Sequence, residues 1–418
     1  MSLHRLVALV REKSPYYREL YKNLPSKLPS TDSELLALLP VIDSAEFWKA
    51  NSLQDNTLLT GPMNDGIVFK SGGTTGAPKF SVFSRNEWTH FCRTFGRGLT
   101  AGGLQEGERV ANLFYAGELY ASFIFIMKSF EEATKGSLHL PLGGATSPES
   151  VLKTIRDLSA TTVAGTPTLL VQLAETMVKE VGQAPSLKRL LFGGESLYED
   201  QRERLLEVFP GVTIQSIGYA SVDAGLLGYA DKTCAPEEHR TFGAETIFEI
   251  IDEATGQAID ALGVEGKAFV TYLDRTLMPI IRYPVGDRAV WMEEKGAHAD
   301  RRFKLLGRSE EAARVGPVSI FYDDVREIFH SAGFSLTGFQ LVTKHFERKD
   351  QLVIRLALAH ETPAASLGTA LLKARPMLKE EAERGNIHLP VVEIVNHSEL
   401  EKNSRTGKMK RVIDLRQK

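Results

Sequence analysis

The feature that most constrains this chain is an alternation of short apolar segments with amphipathic ones, each apolar segment running into glycine or a hydroxyl residue. Strand-like Arg109 to Phe114 precedes helix-like Ala121 to Phe130, Thr162 to Gly165 precedes Pro167 to Val181, Leu190 to Gly194 precedes Leu197 to Phe209, and Val212 to Ile217 closes the series. Such alternation predicts an α/β sheet with crossover helices. Ligands of these sheets bind at the carboxyl ends of strands. Gly165-Thr166-Pro167, Gly193-Gly194-Glu195 and Gly218-Tyr219-Ala220 all fall at such ends.

The flanking regions read differently. The first 60 residues form short helices punctuated by Pro15, Pro25, Pro29 and Pro40. Ile67 to Lys70 and Phe80 to Phe83 read as strands around a polar loop, and Ser84 with Glu87 predicts a capping box that opens a helix. After Tyr229 the chain turns β-rich, with strands at Thr246 to Asp252 and Ala268 to Leu273. Beyond a charged, glycine-flanked stretch, residues 309–418 read as a small α+β domain with helices at Tyr322 to Ala332 and Ala364 to Glu383 and strands at Leu352 to Leu358 and Val391 to Val395. The expected architecture is therefore a large N-terminal α/β domain, 1–308, with mixed sheets and a β-rich part, and a small mobile α+β domain, 309–418.

Composition narrows the class. A net charge of −3 argues against a protein built around nucleic acid. Two cysteines, Cys92 and Cys234, are too few for a disulfide framework and suit a reducing cytosol. The N-terminus carries Arg5, Arg11 and Glu12 within its apolar patch, unlike a signal peptide, and the apolar cluster at Ala121 to Met127 falls short of a membrane span. The expectation is a cytoplasmic enzyme. Cys234 and His239 supply too few ligands for a structural zinc site.

The stretch Ser71-Gly72-Gly73-Thr74-Thr75-Gly76-Ala77-Pro78-Lys79 combines hydroxyls, glycines and a lysine. Glycines let backbone N–H groups approach phosphate oxygens, hydroxyls donate to them, and the lysine adds positive charge. A P-loop would need Gly-Lys-Ser/Thr opening a helix, whereas Lys79 follows Ala77-Pro78 and runs into a strand. Taken alone, the stretch reads either as a phosphate cradle or as a polar hairpin turn.

It resembles the phosphate loop of the adenylate-forming enzymes, the superfamily of acyl-CoA synthetases, peptide-synthetase adenylation domains and luciferases. Further segments follow in the order of that family. Gly193-Gly194-Glu195-Ser196 resembles its adenine-side loop, Tyr219-Ala220-Ser221-Val222-Asp223 its aromatic-plus-acid motif, and Tyr283-Pro284-Val285-Gly286-Asp287 its ribose-binding motif. Gly307-Arg308-Ser309-Glu310 resembles its hinge and Thr406 to Arg411 its C-terminal lysine motif. The tail Gly407 to Arg416 and Phe248 to Asp252 are most similar to the phenylacetate-CoA ligase branch, and a phenazine-carboxylate activating enzyme of antibiotic biosynthesis is a related match.

The resemblance implies ATP-dependent conversion of a small, aromatic carboxylic acid into an acyl-adenylate, followed by transfer to CoA. It implies that Lys408 bridges carboxylate and phosphate oxygens, that Ser71 to Gly76 and Lys79 hold the phosphates, and that Asp223 holds Mg²⁺. Gly194, Glu195, Ser196, Tyr219, Ala220, Ser221, Asp287 and Arg308 would serve adenine and ribose, with Tyr219 stacking on the base. Phe114, Tyr115, Ala116, Gly117 and Gly218 would shape the acyl pocket, and Ser309 and Glu310 would form the hinge. The family usually has Glu at position 223 and Asp at position 310. Each residue also has a plain reading: Lys408 in a solvated basic tail, Tyr219 a strand-end aromatic, Asp287 a turn residue, Phe114 ordinary core packing. An amine, amino acid or carrier protein as acyl acceptor, a non-catalytic nucleotide or acyl sensor, and a homodimer stay open.

Overall fold

Local capping chemistry sets the helices of the computed structural model, which describes residues 1–52, 54–71, 79–133, 136–180, 186–195, 197, 199–308, 312–316, 318–347, 349–359, 364–383, 385–403 and 407–416. Ser14, Ser147 and Thr166 each cap a helix whose first residue is proline, at Pro15–Leu20, Pro148–Asp157 and Pro167–Lys179. The cap hydroxyl accepts an otherwise orphaned N–H and proline sits where no donor is needed. Ser84 and Glu87 form the expected capping box, and the helix Arg85–Ala101 runs from it to a cap at Gly102.

The chain divides into two compact units, Met1–Gly143 with Gln215–Gly307 and Gly144–Ile214 with Arg308–Lys418. In the first unit, strands Ile67–Ser71 and Lys79–Phe83 pair antiparallel, so that Ser71 faces Lys79. Strands Arg109–Asn112 and Leu138–Pro141 pair in parallel. A five-stranded sheet contains Thr246–Ile251, Gly266–Tyr272 and Ile280–Trp291 as antiparallel neighbours. Pro284 lies within the long strand Ile280–Trp291, whose pairing with Gly266–Tyr272 shifts register nearby. A bulge accommodates a residue that cannot donate to the ladder. Phe83, Phe91 and Phe125 stack in sequence, with Phe95 and Trp88 tilted against them, and this aromatic core holds the capped helix.

In the second unit, Thr162–Gly165 and Arg189–Phe192 pair in parallel, with the helix Pro167–Lys179 between them in sequence. A four-stranded sheet is built on the hairpin Leu336–Phe346 and Lys349–Leu358, with Val391–Ile394 and Val412–Asp414 added in parallel at its edges. Its core comprises Tyr322, Val325, Phe329, Phe339, Leu341, Ile354, Leu367, Leu371 and Leu378. The single helix expected over Ala364 to Glu383 is two, Ala364–Ala374 and Pro376–Glu383. Pro376 has no N–H to continue the first helix but suits the first position of the second.

Candidate active site

In the first unit, Ser71 Oγ donates to Asp223 Oδ1 at 2.5 Å and Ser81 Oγ lies 3.5 Å from the same oxygen. Ser71 ends one strand of the Ile67–Phe83 hairpin, while Asp223 sits in the turn between the antiparallel strands Tyr219–Ser221 and Gly225–Gly228. Burial pushes the Asp223 carboxyl above its ordinary pKa, and the Ser71 hydroxyl, the Lys79 ammonium and the Arg275 guanidinium oppose that rise. Lys79 stands 5.4 Å from the centre of the Trp48 ring, and Trp48 Nε1 donates to the Tyr283 hydroxyl at 2.9 Å. Gly72 to Gly76 lie outside the described residues.

Tyr219 is half-buried and donates its hydroxyl to Asp287 Oδ2, bringing two expected nucleotide residues together across 68 positions of sequence. Its ring also packs near those of His239 and Phe303. Ala220 pairs with Leu226, and Ser221 Oγ accepts from Ala224 N–H, so both residues belong to the hairpin that presents Asp223. Gly218 has φ +121°, and a Cβ there would meet Phe95 Cζ at 2.8 Å. Phe114 is buried, Tyr115 half-buried, and Ala116 and Gly117 are exposed. The turn after them holds Gly117 at φ +105°, Glu118 at +47° and Leu119 at +63°, with Leu119 C=O accepting from Lys70 N–H at 2.9 Å.

In the second unit, Gly194 and Glu195 follow the strand Arg189–Phe192. Lys408 runs alongside Gly194: a Cβ on that glycine would lie 3.0 Å from Lys408 Cε and 3.3 Å from Nζ. Glu195 accepts from Thr168 N–H and hydroxyl through Oε2 and from Met409 N–H through Oε1. Arg308 closes the strand Arg302–Arg308. Ser196, Ser309 and Glu310 lie outside the described residues.

Around these groups the fold supplies contacts that no local sequence pattern announces. Arg275 is fully buried and donates to the carbonyls of Val222 and Asp223. Glu87, already the capping-box acid, also accepts from the N–H groups of Thr276 and Leu277, fixing the segment that follows Arg275. His239 is buried, with Nε2 2.8 Å from Ser216 Oγ, and burial lowers its pKa to about 4, which leaves the ring neutral. Cys234 Sγ instead faces Asp231, and burial pushes its thiol up to about 11.

No group of three or more His, Cys, Asp or Glu among the described residues could hold a metal ion. A lone carboxylate flanked by hydroxyls does fit a hard cation that takes most of its ligands from phosphates and water. Asp223 with Ser71 and Ser81 is such an oxygen-only set. No helix among the described residues is long and apolar enough to cross a membrane.

Residues 56–270 match the family model described as AMP-binding enzyme. The phenylacetate-coenzyme A ligase of Thermus thermophilus is 24% identical over 99% of this chain and 95% of its own length. That of Escherichia coli is 23% identical over 70% of this chain and 66% of its own. Among solved structures, 2-hydroxyisobutyryl-CoA ligase in the postadenylation state with 2-HIB-AMP aligns with a TM-score of 0.77 at 18% identity, over 99% of this chain and 88% of that one. The anthranilate CoA ligase AuaEII with anthranoyl-AMP aligns at 0.57 and 18% identity, over 82% and 64%. These structural likenesses carry the fold.

Proposed function

The chain belongs to the AMP-binding enzymes, in the branch that resembles phenylacetate-CoA ligases, and on that premise we propose that it condenses a small aromatic carboxylic acid with ATP to an acyl-adenylate and pyrophosphate, then transfers the acyl group to CoA. The observation that carries the reading is the Ser71–Asp223 hydrogen bond, which joins the phosphate-loop hairpin to the aromatic-plus-acid turn across 152 positions of sequence. Attack of a carboxylate on the α-phosphate brings two anions together, so charge must be neutralised and the approach held in line.

In this reading Ser71 and Lys79 serve the phosphates, Asp287 accepts the ribose hydroxyls, and Tyr219 both orients Asp287 and offers its ring to adenine. Lys408 supplies the cation that bridges the reacting anions. Asp223 would hold Mg²⁺, which when bound neutralises phosphate charge. Phe114, Tyr115 and Gly218 belong to the acyl pocket. Residues 1–308 and 309–418 form the functional division, with a pivot at Ser309 and Glu310 withdrawing Lys408 before acyl transfer. A cytoplasmic location goes with the substrates.

The acid is sought by acid-dependent exchange of pyrophosphate into ATP over benzoate, phenylacetate and polycyclic aryl acids, with Lys408→Ala expected to abolish it. Exchange untouched by that substitution removes Lys408 from its role. Binding of ATP with no AMP formed across the panel overturns the enzymatic reading. Incubation of the active acid and ATP with CoA, then with amines or amino acids, identifies the acceptor. Thioester is the expected product, and its absence sinks the CoA assignment in favour of an amine or carrier protein, as in phenazine tailoring.

A further inference from the structure

The carboxylate of Glu195 links two segments far apart in sequence. Oε2 accepts from Thr168 N–H at 3.1 Å and from its hydroxyl at 2.6 Å, in the first turn of the helix Pro167–Lys179, where a negative charge meets the positive end of the helix. Oε1 accepts from Met409 N–H at 2.6 Å, 214 positions on. Met409 directly follows Lys408, whose side chain lies against Gly194.

The segment that carries Lys408 is internally closed. Asn403 N–H donates to Lys408 C=O and Gly407 N–H to Asn403 C=O, both at 2.8 Å, and Lys410 N–H donates to Glu401 C=O at 3.0 Å. Lys402 and Met409 form an antiparallel bridge, and Lys402 Nζ donates to Gln172 Oε1 on the same helix as Thr168, at 2.6 Å. Lys402 and Asn403 are thus tied to Gly407, Lys408, Met409 and Lys410 in one hook, fastened at Glu195 and Gln172.

We propose that Glu195 is a positioning residue: a latch that fastens the hook, through Met409, to the start of the Pro167–Lys179 helix and so fixes Lys408 beside Gly194 for the adenylation step alone. The inference rests on the reading of Lys408 given above and changes the expected role of Glu195. Its two oxygens already take three protein donors, two from the helix and one from the hook. A carboxylate can accept all three at once. An amide cannot, because its NH₂ end would face a donor. Acyl transfer, in which Lys408 is withdrawn, does not use the latch.

The test compares the full chain with Glu195→Gln and Glu195→Ala. Without substrates, tryptic cleavage after Lys408, Lys410 and Arg411 should quicken by about tenfold in both variants, the scale of losing one charge-assisted hydrogen bond; unchanged cleavage overturns the latch. With ATP, pyrophosphate and phenylacetate, kcat for exchange should fall by about tenfold or more while KM for ATP holds within about twofold. Thioester formation from synthetic phenylacetyl-adenylate and CoA should keep its rate. Equal losses in both half-reactions indicate a merely structural role, and a raised KM for ATP with kcat unchanged indicates a nucleotide contact; either result overturns the proposal. Lys408→Ala is run in parallel. Exchange surviving that substitution ends the catalytic reading of Lys408, whereas the protease comparison judges the latch by itself, with any acid or none.

Discussion

Arg275 Nη1 donates to the backbone carbonyl of Asp223 at 2.9 Å and to that of Val222 at 3.0 Å. The guanidinium is fully buried, lies 4.1 Å from the centre of the Phe83 ring, and sends Nη2 toward Met278 Sδ at 3.4 Å. Burial lowers its pKa to about 10, while Glu87 and Asp223 act to raise it, so the charge persists at neutral pH. A cation anchored to the main chain thus fixes the turn that presents the Asp223 carboxylate.

Removing that anchor should hurt both stability and nucleotide binding. Arg275→Met keeps much of the apolar volume but strands two carbonyls, and urea unfolding should show a loss of about 3 kcal/mol, given ~1–3 kcal/mol per unsatisfied buried group. KM for ATP should rise by roughly tenfold, the effect of losing about 1.4 kcal/mol of binding. A variant with the stability loss and an unchanged KM would confine Arg275 to a structural role.

Asp223 offers the opposite pattern. Its folded pKa is raised, so between the unfolded value and the folded one the native state holds more protons, and stability falls as pH rises through that window. Below the unfolded value the penalty is absent, and above the folded value it is fully present. Asp223→Asn removes the charge while leaving an oxygen for the Ser71 hydroxyl. At pH 7 this variant should unfold at the same or higher urea concentration, and its pyrophosphate exchange should fall by about a hundredfold. A destabilised Asn variant would contradict the assigned cost of burying the carboxylate.

Much of this was legible in the sequence because the signals are local. Ser84 and Glu87 stand three residues apart and cap the helix they announce. Ser71, Tyr219, Asp223, Asp287 and Lys408 could be named from ordered motifs, but not the pairing of Ser71 with Asp223 or of Tyr219 with Asp287. A buried arginine such as Arg275 has the same local pattern as an exposed one, and only the fold supplies its carbonyls. Glu195 is assigned to the nucleotide by the resemblance of its loop to the family's adenine-side loop, and no local pattern announces its hydrogen bonds to Thr168 and Met409. The strand Leu336–Phe346 is buried along most of its length and so lacks the alternation of a half-exposed strand. Pro376 was visible, but its role as a start rather than an interruption depends on the helix boundary before it.

The ion pair Glu249–Arg282 tests how the β-rich part of the first unit is held. Nε and Nη2 of Arg282 each donate to one carboxylate oxygen at 3.1 Å, Nη1 donates to Leu39 C=O, and both side chains are buried. Arg282→Ala leaves Glu249 buried and alone and should cost about 3–5 kcal/mol in urea unfolding, whereas Glu249→Gln with Arg282→Met should cost less than the single change. A double variant as unstable as the single one would show that Arg282 acts through Leu39 rather than through the pair.

Gly194→Ala tests the placement of Lys408 from the side opposite to the latch. Gly194 has φ +80°, so any side chain costs about 1–2 kcal/mol of backbone strain, and the added Cβ would meet Lys408 Cε at 3.0 Å. The backbone cost is independent of Lys408, but the contact is not. Exchange activity should therefore fall by about tenfold or more, while thioester formation from preformed adenylate changes little. The two costs separate in a double-mutant cycle on unfolding free energy: combined with Lys408→Ala, the alanine at 194 should lose only the backbone share, and the shortfall from additivity measures the contact. Strict additivity would mean that Lys408 does not pack against Gly194 in solution, and with it would go the geometric case that this lysine is held ready at the end of the strand Arg189–Phe192.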